Sequence, residues 1–221
     1  MLDNKETLVF AGPSLSDELT SLIEKSENLK LCPPIKRGDL PEILQQGFIG
    51  NLVIVDGLFG QSLAVGHAEI RQAIQKGCKV YGLSSMGAIR AYEMRHMGVI
   101  GYGKVYERFA KDDLEDFQDD EVTLLHTPAP ECMPLSEPLI HFRVCIDDLV
   151  NNKVLTAAQG ANIITKLKSL YFGDRTMYLF KNLIKDEANL KFEDIVPDFD
   201  QYRIKTSDLK NFLLEFVSKT Y

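Results

Sequence analysis

Short runs of apolar residues mark the strands in the first half of the chain. Three of them, Thr7–Ala11, Leu52–Val55 and Lys79–Gly82, are nearly continuous in apolar character. A strand covered on both faces shows this pattern, whereas a half-exposed strand alternates apolar and polar residues. A further strand is expected over 29–32, just before a pair of prolines. The pattern therefore predicts buried strands of a parallel sheet.

Helical spacing of apolar residues follows each of the three runs. The predicted helices cover Leu15–Lys25, Ala64–Lys76 and Gly87–Met97, and a shorter one is expected over Leu40–Gln46. Turn-forming segments (GPSLS, DGLFG and LSSMG) separate each strand from its helix. Strand, turn and helix in repetition are typical of a parallel sheet with crossover helices, in which functional residues gather at the carboxyl ends of the strands. We therefore expect the three turns to share one edge of the sheet.

The second half of the chain changes character. Between 98 and 138 glycines, acidic residues and prolines loosen the pattern, and beyond Pro138 helical periodicity returns. Thr156 and Thr206 are the expected N-caps of two of these helices. We predict an α/β domain with a Rossmann-like three-layer arrangement over 1–135 and a helical region over 136–221 packed on it. The predicted helices of that region are Leu139–Leu149, Thr156–Phe172, Asp174–Ile184 and Thr206–Ser218.

Composition narrows the classes of partner and location. The 221 residues carry a formal net charge of -7 and no basic run, so nonspecific electrostatic binding to nucleic acid is not expected. No apolar stretch approaches the roughly 20 residues of a membrane helix. The amino-terminal residues do not resemble a signal peptide, and we expect a cytoplasmic protein. The four cysteines lack zinc-type spacing and are expected to be free, mostly buried thiols.

Two adjacent serines, Ser84 and Ser85, stand where the third strand gives way to a helix. Either hydroxyl could cap the helix, since serine is a common N-cap. A serine held in such a turn can also act as a nucleophile, because the first amides of the helix then face the developing oxyanion. The strict hydrolase elbow G-x-S-x-G is not met, since Gly82 and Gly87 are one residue too far apart. Both interpretations stay open at the level of spacing.

Other polar residues near the predicted edge could serve the same chemistry. Asp56 ends an apolar strand, and His67 with Glu69 opens the next helix. A serine, a histidine and a carboxylate from neighbouring turns can form a nucleophile, a base and an orienting acid. Each also has a structural alternative, such as a turn cap or a surface hydrogen bond. Arg90 and Glu93 can pair on one helix, and Arg90 could also reach an anionic substrate.

Two further segments have compositions that could bind a ligand. Seven of the ten residues of Asp112–Glu121 are acidic, but they do not match a calcium-binding loop, and a solvated face or the docking of a basic partner is favoured over a metal. The turn Gly12-Pro13-Ser14 lacks the lysine and glycine patterns of nucleotide loops. We expect neither a metal nor a cofactor.

Several motifs together resemble the TfuA-like family. They occur in the family's order: VFAGPSL, PPIKRGD, IVDGLFGQSLAVGHAEI and VYGLSSMGAIRAYEM. They match a GP[TS]L turn, a PP..GD segment, an IDG.F...H.EI segment and an SMGA.RA.E segment. The segment YFGDRTMY at 171–178 is also similar to the family. Ser84 departs from the AASMGA of many members.

The resemblance implies a function. TfuA-like proteins are accessory factors of YcaO enzymes in peptide backbone thioamidation, and a proposed activity is hydrolysis of the C-terminal thiocarboxylate of a ThiS-like sulfur carrier. The implied partners are thus a YcaO-type enzyme, the carrier and a precursor peptide, with a homo-oligomer left open. An alternative role is docking to and activating the YcaO enzyme without chemistry.

Carried onto this chain, the family motif marks a set of site residues. We assign Ser85 as nucleophile, His67 as general base, and Asp56 or Glu93 as its orienting acid. The amides of Met86 and Gly87 are expected to bind the oxyanion, and Arg90 the thiocarboxylate. The remaining expected contacts to substrate are Gly12, Pro13, Gly57, Glu69 and Ser84.

Overall fold

A computed structural model describes residues 6–58, 63–111 and 118–218. The chain divides into two compact units. The first comprises the elements up to residue 117 together with 129–131 and everything from 205 on, and the second comprises 118–128 and 132–204. The expected domains 1–135 and 136–221 stay a prediction, but in this spatial division the last helix groups with the first unit.

The first unit is built on a parallel sheet of five strands in the order β2-β1-β3-β4-β5. The α/β fold class predicted from the pattern is confirmed, as are the four predicted strands. The strands are β1 Thr7–Phe10, β2 Leu29–Cys32, β3 Asn51–Ile54, β4 Lys79–Leu83 and β5 Ile100–Tyr102. Since all pairings are parallel, the carboxyl ends of the strands meet at one edge, as expected. The order reverses between β1 and β3, which is where sheets of this order bind ligands.

Helices cover both faces of the sheet. They are α1 Asp17–Glu24, α2 Asp39–Gln45, α3 His67–Gln75, α4 Met86–Glu93 and α5 Gly103–Ala110, and the last helix of the chain, α10 Ile204–Ser218, joins them. The strand residues alternate between two clusters: Leu8 and Phe10 pack with α2, α3 and α4, whereas Val9 packs with α1 and α10. This period of two is what a sheet buried on both faces requires. The strand β5 and the helix α5 were not predicted.

The second unit contains helices around one apolar cluster. They are α6 Leu139–Asn151, α7 Ala157–Lys168, α8 Met177–Ala188 and α9 Phe192–Ile195, with short 3₁₀ turns between them. Thr156 caps α7 in a reciprocal capping box with Gln159, which confirms that N-cap. The N-cap predicted at Thr206 is wrong, because α10 already begins at Ile204.

Two further observations concern the cysteines and the length of the apolar helices. All four cysteines are free, and three of them are buried. Across the described ranges, no helix is long and apolar enough to cross a membrane.

Candidate active site

Asp56 joins the ends of β1 and β3 at the point where the strand order reverses. Its Oδ2 accepts hydrogen bonds from the backbone N–H groups of Gly12 and Ser14, each at 2.9 Å, and its Oδ1 accepts one from the Ser14 hydroxyl at 2.8 Å. Asp56 is only 3% exposed. A buried carboxylate needs such partners, and here they fix the Gly12-Pro13-Ser14 turn against β3. The expected contact of Asp56 with His67 is not formed.

A lysine that sequence reasoning missed lies at the same edge. Lys205, at the start of α10, is 2% exposed, and its Nζ lies 3.8 Å from the Asp56 Oδ1. Its backbone carbonyl accepts a hydrogen bond of 2.7 Å from the Ser84 hydroxyl, across 121 residues of sequence. Lys205 thus brings a buried amine to the carboxyl ends of β3 and β4.

The turn between β4 and α4 is tight and strained. Ser84 has a φ of +63°, which is uncommon for a residue other than glycine. The Ser85 N–H donates back to the Leu83 carbonyl at 2.7 Å, which makes 83–85 a three-residue γ-turn. Strain of this kind is frequent at functional sites, where the surrounding contacts hold it in place. The Ser84 hydroxyl supplies one such contact and is fully buried, so Ser84 secures the turn.

Ser85 occupies the N-cap position of α4, yet its side chain caps nothing. Its hydroxyl forms no hydrogen bond with any residue that the structure describes, and its side chain makes none of the usual N-cap bonds. The backbone N–H of Met86 is likewise without a partner in the described part of the chain. The capping alternative therefore does not account for Ser85, and a hydroxyl and an amide stand together at the positive end of the helix.

The Gly87 amide, which was expected to bind the oxyanion, already donates a hydrogen bond within the protein. The Gly87 N–H donates to the Val55 carbonyl at 3.2 Å and is occupied. A Cβ at Gly87 would lie 1.7 Å from the Ile54 carbonyl oxygen. Glycine here lets the start of α4 rest directly on β3, so the residue positions the helix, while Met86 offers the free amide.

The predicted base, His67 at the start of α3, contacts the last residue of α4. The His67 Nε2 is 2.8 Å from the Glu93 Oε2, which also accepts a hydrogen bond of 2.6 Å from the Arg90 Nη1. Glu93 follows Ser85 by eight residues, a rise of about 12 Å along a helix. The His67 side chain is 54% exposed. His67 thus pairs with Glu93, which is one of its two expected acids. His67 and Ser85 are not hydrogen-bonded to each other.

The remaining predicted residues have structural contacts. Arg90 also donates from Nε to the Val65 carbonyl at 3.1 Å, and Gly57 lies so close to Met86 that a Cβ would meet its sulfur at 2.2 Å. Pro13 is half-buried in the turn that Asp56 holds. Glu69 accepts a hydrogen bond of 3.1 Å from the Gly38 N–H, and its other oxygen is buried without a partner among the described residues.

The acidic run is described only from Gln118 on, and 112–117 lie outside the described residues. Two of its acids form ion pairs within the second unit: Asp120 with the buried Arg175 at 2.6 Å, and Glu121 with Arg143 at 2.7 Å. Over 6–58, 63–111 and 118–218, no three histidine, cysteine or acidic residues gather closely enough to hold a metal.

Fold and site together define an α/β protein whose candidate site lies at the reversal of strand order, with a serine at the amino end of a helix beside a buried acid and a buried lysine. The family model described as "TfuA-like protein" matches residues 56–176, more than half of the chain, and the chain belongs to this family. The match begins at Asp56 and contains Ser85 and His67, whereas Ser14 and Lys205 lie outside it. No curated protein matches the chain.

Proposed function

We propose that the protein hydrolyses the C-terminal thiocarboxylate of a ThiS-like carrier and thereby supplies sulfide to a YcaO-type enzyme that thioamidates a precursor peptide. The observation that carries the proposal is the Ser85 hydroxyl next to the Met86 amide, neither of which has a hydrogen-bond partner among the described residues. Acyl chemistry needs a nucleophile and a donor for the oxyanion in one place. Membership of the TfuA-like family supports the pathway.

The reaction balances with water as the only co-substrate. The Ser85 oxygen attacks the thiocarboxylate carbon, the C–S bond breaks and sulfur leaves as hydrosulfide, which leaves the carrier tail as an ester on Ser85. Water then cleaves the ester, which releases the carrier carboxylate, returns one proton to the Ser85 oxygen and gives the other to solvent. The Met86 amide faces the oxyanion in both steps, and no electron donor or acceptor is required.

On this proposal Lys205, rather than His67, exchanges the proton of Ser85. His67 is held by Glu93, about two turns along α4 from Ser85. Lys205 is buried at the strand ends, and its backbone accepts the hydroxyl of the neighbouring Ser84. Buried lysines change protonation state readily, so on this proposal the Lys205 ammonium that faces Asp56 in the resting protein first gives up its proton and then accepts that of Ser85. We therefore assign the proton transfer to Lys205 and a binding or structural role to the His67–Glu93–Arg90 group.

The depth of Ser85 favours a slender substrate. Ser85 is 3% exposed, so a flat protein surface cannot reach its hydroxyl. An extended chain terminus can reach this hydroxyl, because a single stretch of backbone is narrow enough to enter a crevice that excludes a folded surface. A reactive group at the very end of a carrier tail meets this requirement. Arg90 is half-buried beside the segment 63–67 and, on this proposal, lies along the path of the tail.

The test is hydrolysis of a thiocarboxylated ThiS-like carrier, followed by carrier mass and by free sulfide. Ser85→Ala is expected to lower the rate by at least about a thousandfold, and Lys205→Met by at least about a hundredfold. His67→Asn is expected to stay within about tenfold of the wild type. Ser84→Ala retains the Ser85 hydroxyl but loses the bond that secures the turn, so its rate is expected to lie between those of the wild type and Ser85→Ala.

Three results would overturn parts of the assignment. Equal turnover by the wild type and Ser85→Ala would exclude Ser85 as nucleophile. If Ser85→Ala also supported thioamidation by the YcaO-type enzyme as well as the wild type does, the protein would act by docking and activation. A hundredfold loss in His67→Asn with full activity in Lys205→Met would return the base to His67.

A further inference from the structure

The helix that carries Lys205 is anchored by a second buried acid. Asp208 lies on α10 three residues after Lys205 and is 2% exposed. Its Oδ1 accepts a hydrogen bond from the Lys104 N–H and its Oδ2 one from the Val105 N–H, each at 2.9 Å. These amides begin α5, so the carboxylate binds the positive end of that helix with both oxygens.

The Asp208 carboxylate is tightly packed against the start of α5. Gly103 has a φ of +89°, and a Cβ there would lie 2.4 Å from the Asp208 Cγ and within 2.7 Å of both oxygens. Only glycine allows the start of α5 to approach the carboxylate so closely. The contact thus fixes both the rotation of α10 and its position along its own axis.

Asp208 and Lys205 are neighbours on one helix. Residues three apart on a helix face nearly the same direction, so holding Asp208 also sets where the Lys205 side chain and carbonyl lie. Both groups of Lys205 have demanding partners: the Nζ lies 3.8 Å from Asp56, and the carbonyl accepts the Ser84 hydroxyl at 2.7 Å. A small slip of α10 would separate Lys205 from the turn that holds Ser85.

Burial of the Asp208 carboxylate has a cost that its two backbone hydrogen bonds offset only in part. Burial raises the pKa of its carboxyl to about 6, although the amides of Val105 and Lys104 oppose that rise. The charged side chain of Lys104 lowers this pKa and that of Glu107 raises it. Folding thus weakens the ionised form relative to the unfolded chain, although a carboxyl with a pKa of about 6 is still largely ionised at pH 7. A charged group in such a place is better explained by a demand for geometry than by stability.

We infer that Asp208 is a positioning residue for the proposed active site, which clamps α10 to the start of α5 and thereby holds Lys205 against Asp56 and the Ser84–Ser85 turn. The inference rests on the proposed function only for its effect on turnover. The placement of Lys205 can be measured without any substrate.

The experiment compares Asp208→Asn with Lys210→Gln, a matched control on the same helix. Lys210 pairs with Glu18 in an exposed contact of 2.9 Å. The substitution Lys210→Gln therefore removes only a surface contact of α10. The first readout is acylation of Lys205 by an amine-reactive reagent at neutral pH, followed by peptide mapping. The second is kcat and KM for the thiocarboxylated carrier, and the third is the melting temperature.

In Asp208→Asn, which keeps one acceptor and loses the other, we expect Lys205 to be acylated at least about tenfold faster than in the wild type. We expect kcat to fall by about 10- to 100-fold while KM stays within about twofold, because misplacement harms the reaction more than binding. The melting temperature should fall by only a few degrees, because one buried amide loses its acceptor while the other keeps it. Lys210→Gln should match the wild type in all three readouts.

Lys205 that stays as protected in Asp208→Asn as in the wild type would overturn the inference, and so would equal exposure in Lys210→Gln. An unfolded Asp208→Asn would also overturn it, because the role of Asp208 would then be structural. If the wild type shows no thiocarboxylate hydrolysis, the proposed function fails, while acylation of Lys205 still decides the inference.

Discussion

The buried pair of Asp56 and Lys205 allows a sharp prediction for Asp56→Asn. The asparagine oxygen can take the place of the Asp56 Oδ2 and keep the two bonds from the Gly12 and Ser14 amides. The amide nitrogen must then face the Ser14 hydroxyl and the Lys205 ammonium, where the carboxylate Oδ1 was. The substitution therefore removes the negative charge next to a buried cation while the volume stays the same.

The magnitude follows from the burial of both groups. Removing one partner of a buried ion pair lowers stability by about 3–5 kcal/mol, because the remaining charge loses its counter-charge in a medium of low polarity. An exposed pair would contribute only about 0–1 kcal/mol. Since Asp56 and Lys205 are 3% and 2% exposed, we expect the larger value, a loss of about 4 kcal/mol in the free energy of unfolding.

The assay is urea denaturation at pH 7, with a double-mutant cycle. Asp39→Asn is the matched control, since Asp39 accepts a single exposed backbone bond from Lys36, and it should lower stability by less than about 1 kcal/mol. Lys205→Met in the Asp56→Asn background should restore at least about 1 kcal/mol, because no unpaired charge remains. A loss below about 1 kcal/mol for Asp56→Asn would refute the view that this pair is a buried ionic contact.

Three further changes have expected outcomes. Because the pKa of Asp208 is raised from 3.8 to about 6, its carboxyl adds stability below pH 4 that is lost as the pH rises through 6. In urea titrations between pH 3.5 and 6.5, the free energy of unfolding of the wild type should fall by about 3 kcal/mol relative to that of Asp208→Asn, and parallel curves for the two proteins would contradict this. Gly87→Ala, whose Cβ would meet the backbone of Ile54, should lower stability by about 3 kcal/mol, and an unchanged urea midpoint would show that α4 can move away from β3. Thr156→Ala breaks the capping box with Gln159 and should lower stability by about 1 kcal/mol, with Thr206→Ala as a control inside a helix.

The sheet could be predicted from the sequence because each strand is a continuous apolar run bounded by turn residues. The run Leu52–Val55 became β3, and the parallel pairing then placed Asp56 and the Ser84–Ser85 turn at one edge. The strand β5 escaped prediction because its three residues include Gly101 and lie between two more glycines. A strand so short has no periodicity of its own, and its pairing with β4 determines it.

The site was only partly accessible from the sequence. The motifs identified the TfuA-like family, which is confirmed, and marked Ser85. Lys205 gave no signal, because it stands 121 residues from Ser84 in an ordinary helical pattern, and only the return of α10 to the sheet brings it to the edge. The sequence left Asp56 and Glu93 as two possible acids for His67, and the choice of Glu93 depends on where α3 begins along α4.

The most direct test of Ser85 as nucleophile is to trap its acyl intermediate. The wild-type protein is mixed with thiocarboxylated carrier, quenched in acid within milliseconds to seconds, and analysed by intact mass and peptide mapping. The expected result is an adduct of the carrier tail on the peptide that contains Ser85, formed together with sulfide and absent in Ser85→Ala. Release of sulfide with no adduct on that peptide, or the same adduct in Ser85→Ala, would contradict the central role given to Ser85.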